Sequence, residues 1–311
     1  MALAVVLPPR VAAIHSLAGF GRCSLTVIIP VLSAMGIQVC PMPTAVLSTH
    51  SGGFGDMSFV DLTDAMEAHA AHWRGLGLNF DAIYSGFLGS ARQIETVAGF
   101  IDAFGRGPRQ LVLVDPVMAD NGKLYRTYTP EMRDLMRHLA AKADILTPNV
   151  TETCFLLNEP YSDQPMSDVA IRRLLVKLSD LGPPTVVVKS IRTDDGRHAN
   201  VAYRRVDDSF CVVPFERLPV DYPGTGDTFG SVLLGGLLTG KGLCETMARA
   251  TAFLSHAVHL TQTAGTPARE GVLLEAALPW LWRDAAAAAE VEAPDICDQD
   301  TGQVGPQEGQ A

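Results

Sequence analysis

The chain has 311 residues, 47% of them hydrophobic and 19% charged, enough for one large α/β domain or two small ones with a substantial core. A net charge of −10 and a pI near 5.2 argue against nucleic-acid or anionic-membrane partners, so any anionic ligand must be held by local groups. The six cysteines (Cys23, Cys40, Cys154, Cys211, Cys244 and Cys297) form no C-x-x-C pair, which argues against zinc or thioredoxin-like motifs and reads most of them as reduced core thiols of a cytoplasmic protein.

The opening Met1–Leu7 is apolar but lacks a basic flank and meets Pro8-Pro9, so it is not read as a signal peptide. Val11–His15 reads as a strand, Gly19-Phe20-Gly21 as a turn and Cys23–Met35 as a helix, with Ile37–Cys40 the next strand. The uncharged run from Leu25 to Leu47 is too broken by Pro30, Gly36, Gln38, Pro41 and Pro43 to be a membrane span. A helix is expected over 58–75, with Phe59, Leu62, Met66, Ala70 and Trp73 on one face. Phe80–Tyr84 follows as a strand, Ala91–Phe104 as a helix, and Leu111–Val114 as a strand that ends on Asp115. Glu131–Ala143 is a helix, Asp144–Leu146 a brief strand, Val169–Asp180 a helix and Thr185–Val188 a β-branched strand. Val201–Arg205 and Phe210–Val213 read as a hairpin, and helices over Thr228–Leu238, Glu245–Gln262 and Val272–Trp282 complete the pattern.

Uniformly apolar strands alternating with helices predict an α/β fold: a central, mostly parallel sheet flanked by helices on both faces, an α/β/α sandwich. The boundaries expected are an N-terminal tail over 1–9, one domain over 10–284, and a tail over 285–311 whose Ala, Glu, Asp, Gln and Gly composition suits disorder. Ligands in such sheets bind outside the carboxyl ends of the strands. Ser16, Thr44, Ser85, Asp115 and Asn149 follow the first five strands, and that convergence carries more than any single motif.

Three motifs carry chemistry. Pro223-Gly224-Thr225-Gly226-Asp227-Thr228-Phe229-Gly230 opens a long apolar helix, where small residues and the helix dipole make an anion cradle. Asp227 inside that cradle suits proton removal from an alcohol that attacks a phosphoryl group, or simply an N-cap. Asp115-Pro116-Val117-Met118 leaves a strand with a carboxylate at its tip, and Ala119-Asp120-Asn121-Gly122 follows as a flap or plain β-turn. Thr147-Pro148-Asn149 with Glu152 supplies oxygen partners for Mg²⁺, although an N-capping arrangement needs the same residue types. Gly235 to Lys241 resembles a P-loop only superficially, because Gly242 stands where Ser or Thr is required. The pairs His69/His72 and His256/His259 have no third ligand nearby in sequence.

Taken together, the chain resembles the ribokinase superfamily and, within it, the pyridoxal kinase (vitamin B6 kinase) family, from about Arg10 to Leu281. The resemblance rests on His15-Ser16 with Gly21, Pro43-Thr44 through Leu47-Ser48-Thr49-His50, Tyr84-Ser85-Gly86-Phe87-Leu88-Gly89-Ser90, Asp115-Pro116-Val117-Met118, Thr147-Pro148-Asn149 with Glu152, Val188-Lys189, and Gly224-Thr225-Gly226-Asp227. It implies a ribokinase-like fold and ATP-dependent phosphorylation of the 5′-hydroxyl of a B6 vitamer, feeding salvage of pyridoxal 5′-phosphate. Asp227 would be the base, and the amides of Gly224, Thr225, Gly226 and Asp227 the anion hole. Asp115, Asn149 and Glu152 would organise Mg²⁺, largely through water, with Thr147 and Lys189 along the ATP. Ser16, Thr44, His50, Tyr84 and Ser85 would surround the vitamer, with Asp120–Tyr128 as a flap. A monovalent cation is a further ion the resemblance leaves open, and a homodimer is its expected assembly. Ala119 and Phe20 depart from the family's usual Gly and Tyr and put substrate preference in doubt. Hydroxymethylpyrimidine kinases share the fold but more often carry Cys at the position of Asp227. A non-catalytic B6-binding protein would not need that base.

Overall fold

A computed structural model describes residues 7–104, 107 and 109–282. The tail expected over 285–311 and most of that over 1–9 lie outside them. The chain enters the sheet on β1 (Arg10–Phe20), turns through α1 (Leu25–Ala34) and returns on β2 (Gln38–Thr49). The short β3 (Phe59–Asp61) precedes α2 (Thr63–Gly75), β4 (Ala82–Ser85), α3 (Ala91–Ala103) and β5 (Leu111–Val114). A small hairpin, β6 (Ala119–Asp120) and β7 (Lys123–Leu124), leads to α4 (Pro130–Ala140), β8 (Ile145–Leu146), α5 (Val150–Leu157) and α6 (Asp168–Asp180). The meander β9 (Thr185–Arg192), β10 (His198–Arg204) and β11 (Ser209–Phe215) is followed by α7 (Thr225–Leu238), α8 (Leu243–Ala264) and α9 (Leu274–Ala277).

Among the described residues these strands form a nine-stranded sheet ordered β11-β10-β9-β8-β5-β4-β1-β2-β3. The pairs from β2 through β1, β4, β5 and β8 to β9 are all parallel, while β3, β10 and β11 add antiparallel edges. Alternation along β1 sends Ala12 and Ile14 to one core with α2 to α6, and Val11 and Ala13 to the other with α1, α7, α8 and α9. The α/β/α sandwich expected from the apolar strands is therefore present. No helix among the described residues is long and apolar enough to cross a membrane.

Four local expectations are corrected. The helix expected over 58–75 begins only at Thr63: Asp61 accepts the Thr63 N–H at 2.8 Å, and Phe59 belongs to an edge strand with 38% of its surface exposed. Strand β2 does not stop at Cys40 but runs through Pro41 and Pro43 to Thr49. Gly19 and Phe20 are the last residues of β1 instead of a turn, because β1 and β2 continue together past a register shift between His15 and Leu17. Cys211 on β11 and Cys244 at the start of α8 are joined as a disulfide, Cα atoms 5.8 Å apart, where reduced thiols were expected; Cys23, Cys40 and Cys154 are free.

Candidate active site

A cleft of about 1690 Å³ opens at the carboxyl end of the parallel strands. It exceeds the ~300–1,000 Å³ typical of a single small-molecule site. One end is lined by Ser16, Cys23, Ser24, His50, Met57 and Phe87; the middle by Asp115, Asn149, Glu152, Lys189 and Gly224 to Asp227. The other end lies between β11 and α8, where Val213, Phe215, Ala248, Leu254 and Val258 give it an apolar lining. The Asp120–Tyr128 segment borders it with Asp120, Asn121, Tyr125 and Arg126. There Asn121 and Gly122, at φ 49° and 75°, make the two-residue turn of the β6–β7 hairpin.

The anion cradle follows from one glycine. Gly224 sits at φ 78°, and a Cβ at this position would run into the carbonyl oxygen of Arg22. The left-handed turn starts α7 at Thr225, so the N–H groups of Thr225, Gly226 and Asp227 have no intrahelical acceptor and no side-chain cap. The Thr225 hydroxyl is turned away, donating to the Tyr222 carbonyl at 3.0 Å. What faces the cleft is backbone N–H and the positive end of the helix dipole.

Asp227 is fixed within this cradle. Its Oδ2 accepts the Ser24 N–H at 2.7 Å, across the gap between α1 and α7. Burial pushes its pKa up to about 6; the Ser24 N–H and Lys189 work against burial, while Asp115 adds to it. A carboxylate poised there takes a proton near neutral pH far more readily than an ordinary aspartate.

Lys189 and Asp115 form a bidentate ion pair, Nζ standing 2.9 Å from both carboxylate oxygens. Burial raises Asp115 although Lys189 opposes it. Burial alone would lower Lys189, but Asp115, Glu152 and Asp227 outweigh it and hold the ammonium charged. Gly226 brings the cradle to this pair: a Cβ there would lie 3.4 Å from the Lys189 ammonium.

Asn149 and Glu152 form a complete capping box. Asn149 Oδ1 accepts the Glu152 N–H at 2.8 Å, and Glu152 Oε2 accepts the Asn149 N–H at 2.8 Å. Glu152 Oε1 also accepts the Met118 N–H at 3.2 Å, and Asn149 donates to the Ala119 carbonyl at 2.9 Å. These bonds tie the root of the β6–β7 hairpin to α5. Burial raises Glu152, Asp115 adds to that rise, and Lys189 opposes it. The buried carboxylates of Asp115 and Glu152 and the partly buried one of Asp227 face one ammonium, an all-oxygen surplus of negative charge that fits a hard divalent cation. Among the described residues no group of three or more His, Cys, Asp or Glu closes on a metal by itself, so the fit is to an ion held largely through water and ligand oxygens.

Of the residues expected around a small ring, Ser16 and His50 reach the cleft. Ser16 Oγ donates to Ser24 Oγ at 3.1 Å. His50 accepts the Gly52 N–H at Nδ1, so its proton lies on Nε2, which donates to the Arg269 carbonyl at 2.6 Å. Both nitrogens are used, and His50 offers a ligand its ring face. Thr44, Tyr84, Ser85 and Thr147 are buried and do not line the cleft. Because β2 runs on to Thr49, Thr44 is a mid-strand residue; its hydroxyl donates to the Phe87 carbonyl at 3.1 Å and shapes the wall from behind. Tyr84 faces the α7 side of the sheet and packs in that core, and Ser85 is 1% exposed. Ser24 was not singled out from the sequence, and His15 entered only among the residues that carry the resemblance, with no role assigned to it. Ser24 acts through a backbone N–H, which leaves no mark on residue type.

A family model described as Phosphomethylpyrimidine kinase matches residues 29–270. A pyridoxal kinase of Rubrobacter xylanophilus is 28% identical over 277 residues, covering 86% of this chain and 92% of that relative. A pyridoxine/pyridoxal/pyridoxamine kinase of Bordetella bronchiseptica is 28% identical over 275 residues, covering 83% and 92%. Among solved structures, a Bacteroides thetaiotaomicron protein carrying the name phosphomethylpyrimidine kinase, crystallised with pyridoxal, is 46% identical with a TM-score of 0.84, covering 88% of this chain and 96% of that one. Pyridoxal kinase from Lactobacillus plantarum is 31% identical with a TM-score of 0.79, covering 88% and 98%.

Proposed function

The chain belongs to the phosphomethylpyrimidine kinase family and, within that ribokinase-like family, is a pyridoxal kinase; from that premise we propose that it transfers the γ-phosphoryl group of ATP to the 5′-hydroxyl of a B6 vitamer, with Asp227 as the base. The observation that carries this reading is the partly buried carboxylate of Asp227 inside an uncapped helix N-terminus, beside a cationic Lys189. The helix dipole and the Ser24 N–H would favour any carboxylate in this first turn; what supports its use as a base is the raised pKa that burial gives it at the cleft.

The vitamer occupies the end lined by Ser16, His50 and Phe87, and the adenine the apolar end between β11 and α8. The phosphates run between them along Lys189 and the α7 N-terminus. As the hydroxyl oxygen bonds to the γ-phosphorus, its proton passes to Asp227; the bond to the β-phosphate oxygen breaks and ADP leaves with the electron pair. The N–H groups of Thr225, Gly226 and Asp227 stabilise the charge on the transferring group without reorganising. Asp115, Asn149 and Glu152 would hold Mg²⁺, chiefly through water, and Mg²⁺ would neutralise charge on the phosphate oxygens. The protein works as a cytoplasmic homodimer, and its product is the 5′-phosphate that salvage requires.

The direct test is to incubate the protein with Mg·ATP and, separately, pyridoxal, pyridoxine, pyridoxamine and hydroxymethylpyrimidine, and to follow phosphorylated product. Turnover on a B6 vitamer is expected. Turnover on the pyrimidine alone would move the substrate to the one in the family's name and keep the mechanism. No product from any would leave a binding protein.

Glu152→Gln tests the metal reading. Its amide nitrogen must face one of the two N–H groups that the carboxylate accepts, which loosens the root of the β6–β7 hairpin. The Mg²⁺ concentration for half-maximal rate should rise about 10–100-fold. An unchanged Mg²⁺ dependence, with the melting temperature as control, removes Glu152 from that role.

A further inference from the structure

Beneath Asp227 lies a histidine that the mechanism does not yet use. Alternation along β1 sends His15 to the α7 side of the sheet, one step past Val11 and Ala13, at the strand's functional end. Its side chain is fully buried, and neither ring nitrogen makes a hydrogen bond of normal geometry, although the Tyr84 backbone acts weakly on the ring. Burying two unpaired ring nitrogens is costly, and native folds rarely leave such groups idle. The ring is gripped: Tyr84 meets it edge-on with centroids 4.4 Å apart, and a Cβ at Gly86 would overlap it. Nδ1 stands 3.8 Å from Asp227 Oδ1, about 0.6 Å beyond the usual hydrogen-bond range. Burial keeps the imidazole neutral, lowering its pKa to about 3 although the Tyr84 backbone opposes it, so it carries one N–H to donate and does not compete for the substrate proton.

Resting on the assignment of Asp227 as base, we propose that His15 is a positioning residue: it donates Nδ1–H to Asp227 Oδ1 when the carboxylate turns toward the substrate hydroxyl. With the Ser24 N–H already on Oδ2, the carboxylate is then held at both oxygens. Each oxygen keeps a second lone pair, so Oδ1 still accepts the proton from the alcohol. The 3.8 Å separation is the open arrangement of this bond, and binding of the hydroxyl shortens it.

The test compares His15→Leu, which removes the donor, with His15→Asn, whose amide nitrogen falls where Nδ1 was. In the leucine variant kcat should fall about ten- to a hundredfold, the scale of a 1 Å misplacement, with little change in KM for vitamer or ATP. Asparagine should restore most of it. Equal loss in both variants, or a loss that tracks melting temperature or falls on KM, would mean a purely structural ring; leucine within twofold of wild type would overturn the proposal outright. His15→Ala gives the same comparison should leucine not pack. In the Asp227→Asn background His15→Leu should cost nothing further. Should Asp227→Asn itself keep its turnover, the base assignment fails, and this is distinguishable from failure of His15.

Discussion

Asp227→Asn should lower turnover by roughly 10²–10⁴-fold, the usual contribution of a general base, while making the protein more stable at neutral pH. Asparagine keeps an oxygen for the Ser24 N–H at 2.7 Å, so the α1–α7 contact and the nucleotide end of the cleft are retained. The stability gain follows from the raised pKa. The folded protein holds the Asp227 proton up to about pH 6, whereas the unfolded chain releases it near 3.8. Ionised Asp227 therefore costs stability, and the cost grows as pH rises from about 4 to 6 and then levels at up to about 3 kcal/mol. The melting-temperature advantage of the variant should appear over that window and persist above it. The wild-type kcat/KM should fall tenfold per pH unit below about 6, as the base is protonated; the variant's residual activity should lack that limb. Near-wild-type turnover of the variant would remove Asp227 as base. Lost activity with no stability gain would mean that the carboxylate is not in the raised state that burial imposes.

The layers of this fold were legible because apolar strands buried on both faces leave no other arrangement than a covered, mostly parallel sheet. The Gly-Thr-Gly-Asp turn was legible because only small residues allow backbone N–H groups to converge at a helix start, and Gly224 does occupy the left-handed conformation that the turn needs. What sequence could not supply was the length of the strands. Pro41 and Pro43 look like the end of β2, yet the strand runs through them, and Thr44 becomes a wall residue. Phe59 fitted a helical stripe with Met66 and Ala70, but Asp61 caps the turn at Thr63 and separates it from them. The contacts that hold Asp227 were hidden for a different reason. Ser24 acts through its backbone, and His15 through a packing geometry that depends on Tyr84 of the neighbouring strand and on Gly86 just after it.

Lys189→Met should damage stability and activity together, and the two losses should be separable. The substitution keeps the stem's volume but removes the ammonium that faces Asp115, Glu152 and Asp227. Breaking a buried pair from one side costs about 3–5 kcal/mol, because the remaining charge has no counterpart. Asp115 will recover part of this by taking a proton, since burial already raises its pKa and the opposing pull of Lys189 is gone. A carboxyl whose folded pKa lies above its unfolded value costs stability as pH rises. The melting-temperature deficit of Lys189→Met should therefore be largest at neutral and alkaline pH and shrink on acidification. Adding Asp115→Asn should restore much of the stability by removing the stranded charge. It should not restore turnover, because the ammonium also borders the Gly226 turn where the transferring phosphoryl group is stabilised, a contribution worth about 10²–10³-fold. Because Asp115 is itself a proposed Mg²⁺ partner, the single Asp115→Asn variant at saturating Mg²⁺ is the reference: a double variant that regains stability but stays well below that reference in turnover identifies Lys189 as a phosphate partner. A double variant that regains both would make the pair structural, and would leave the α7 N-terminus and Asp227 to carry the chemistry.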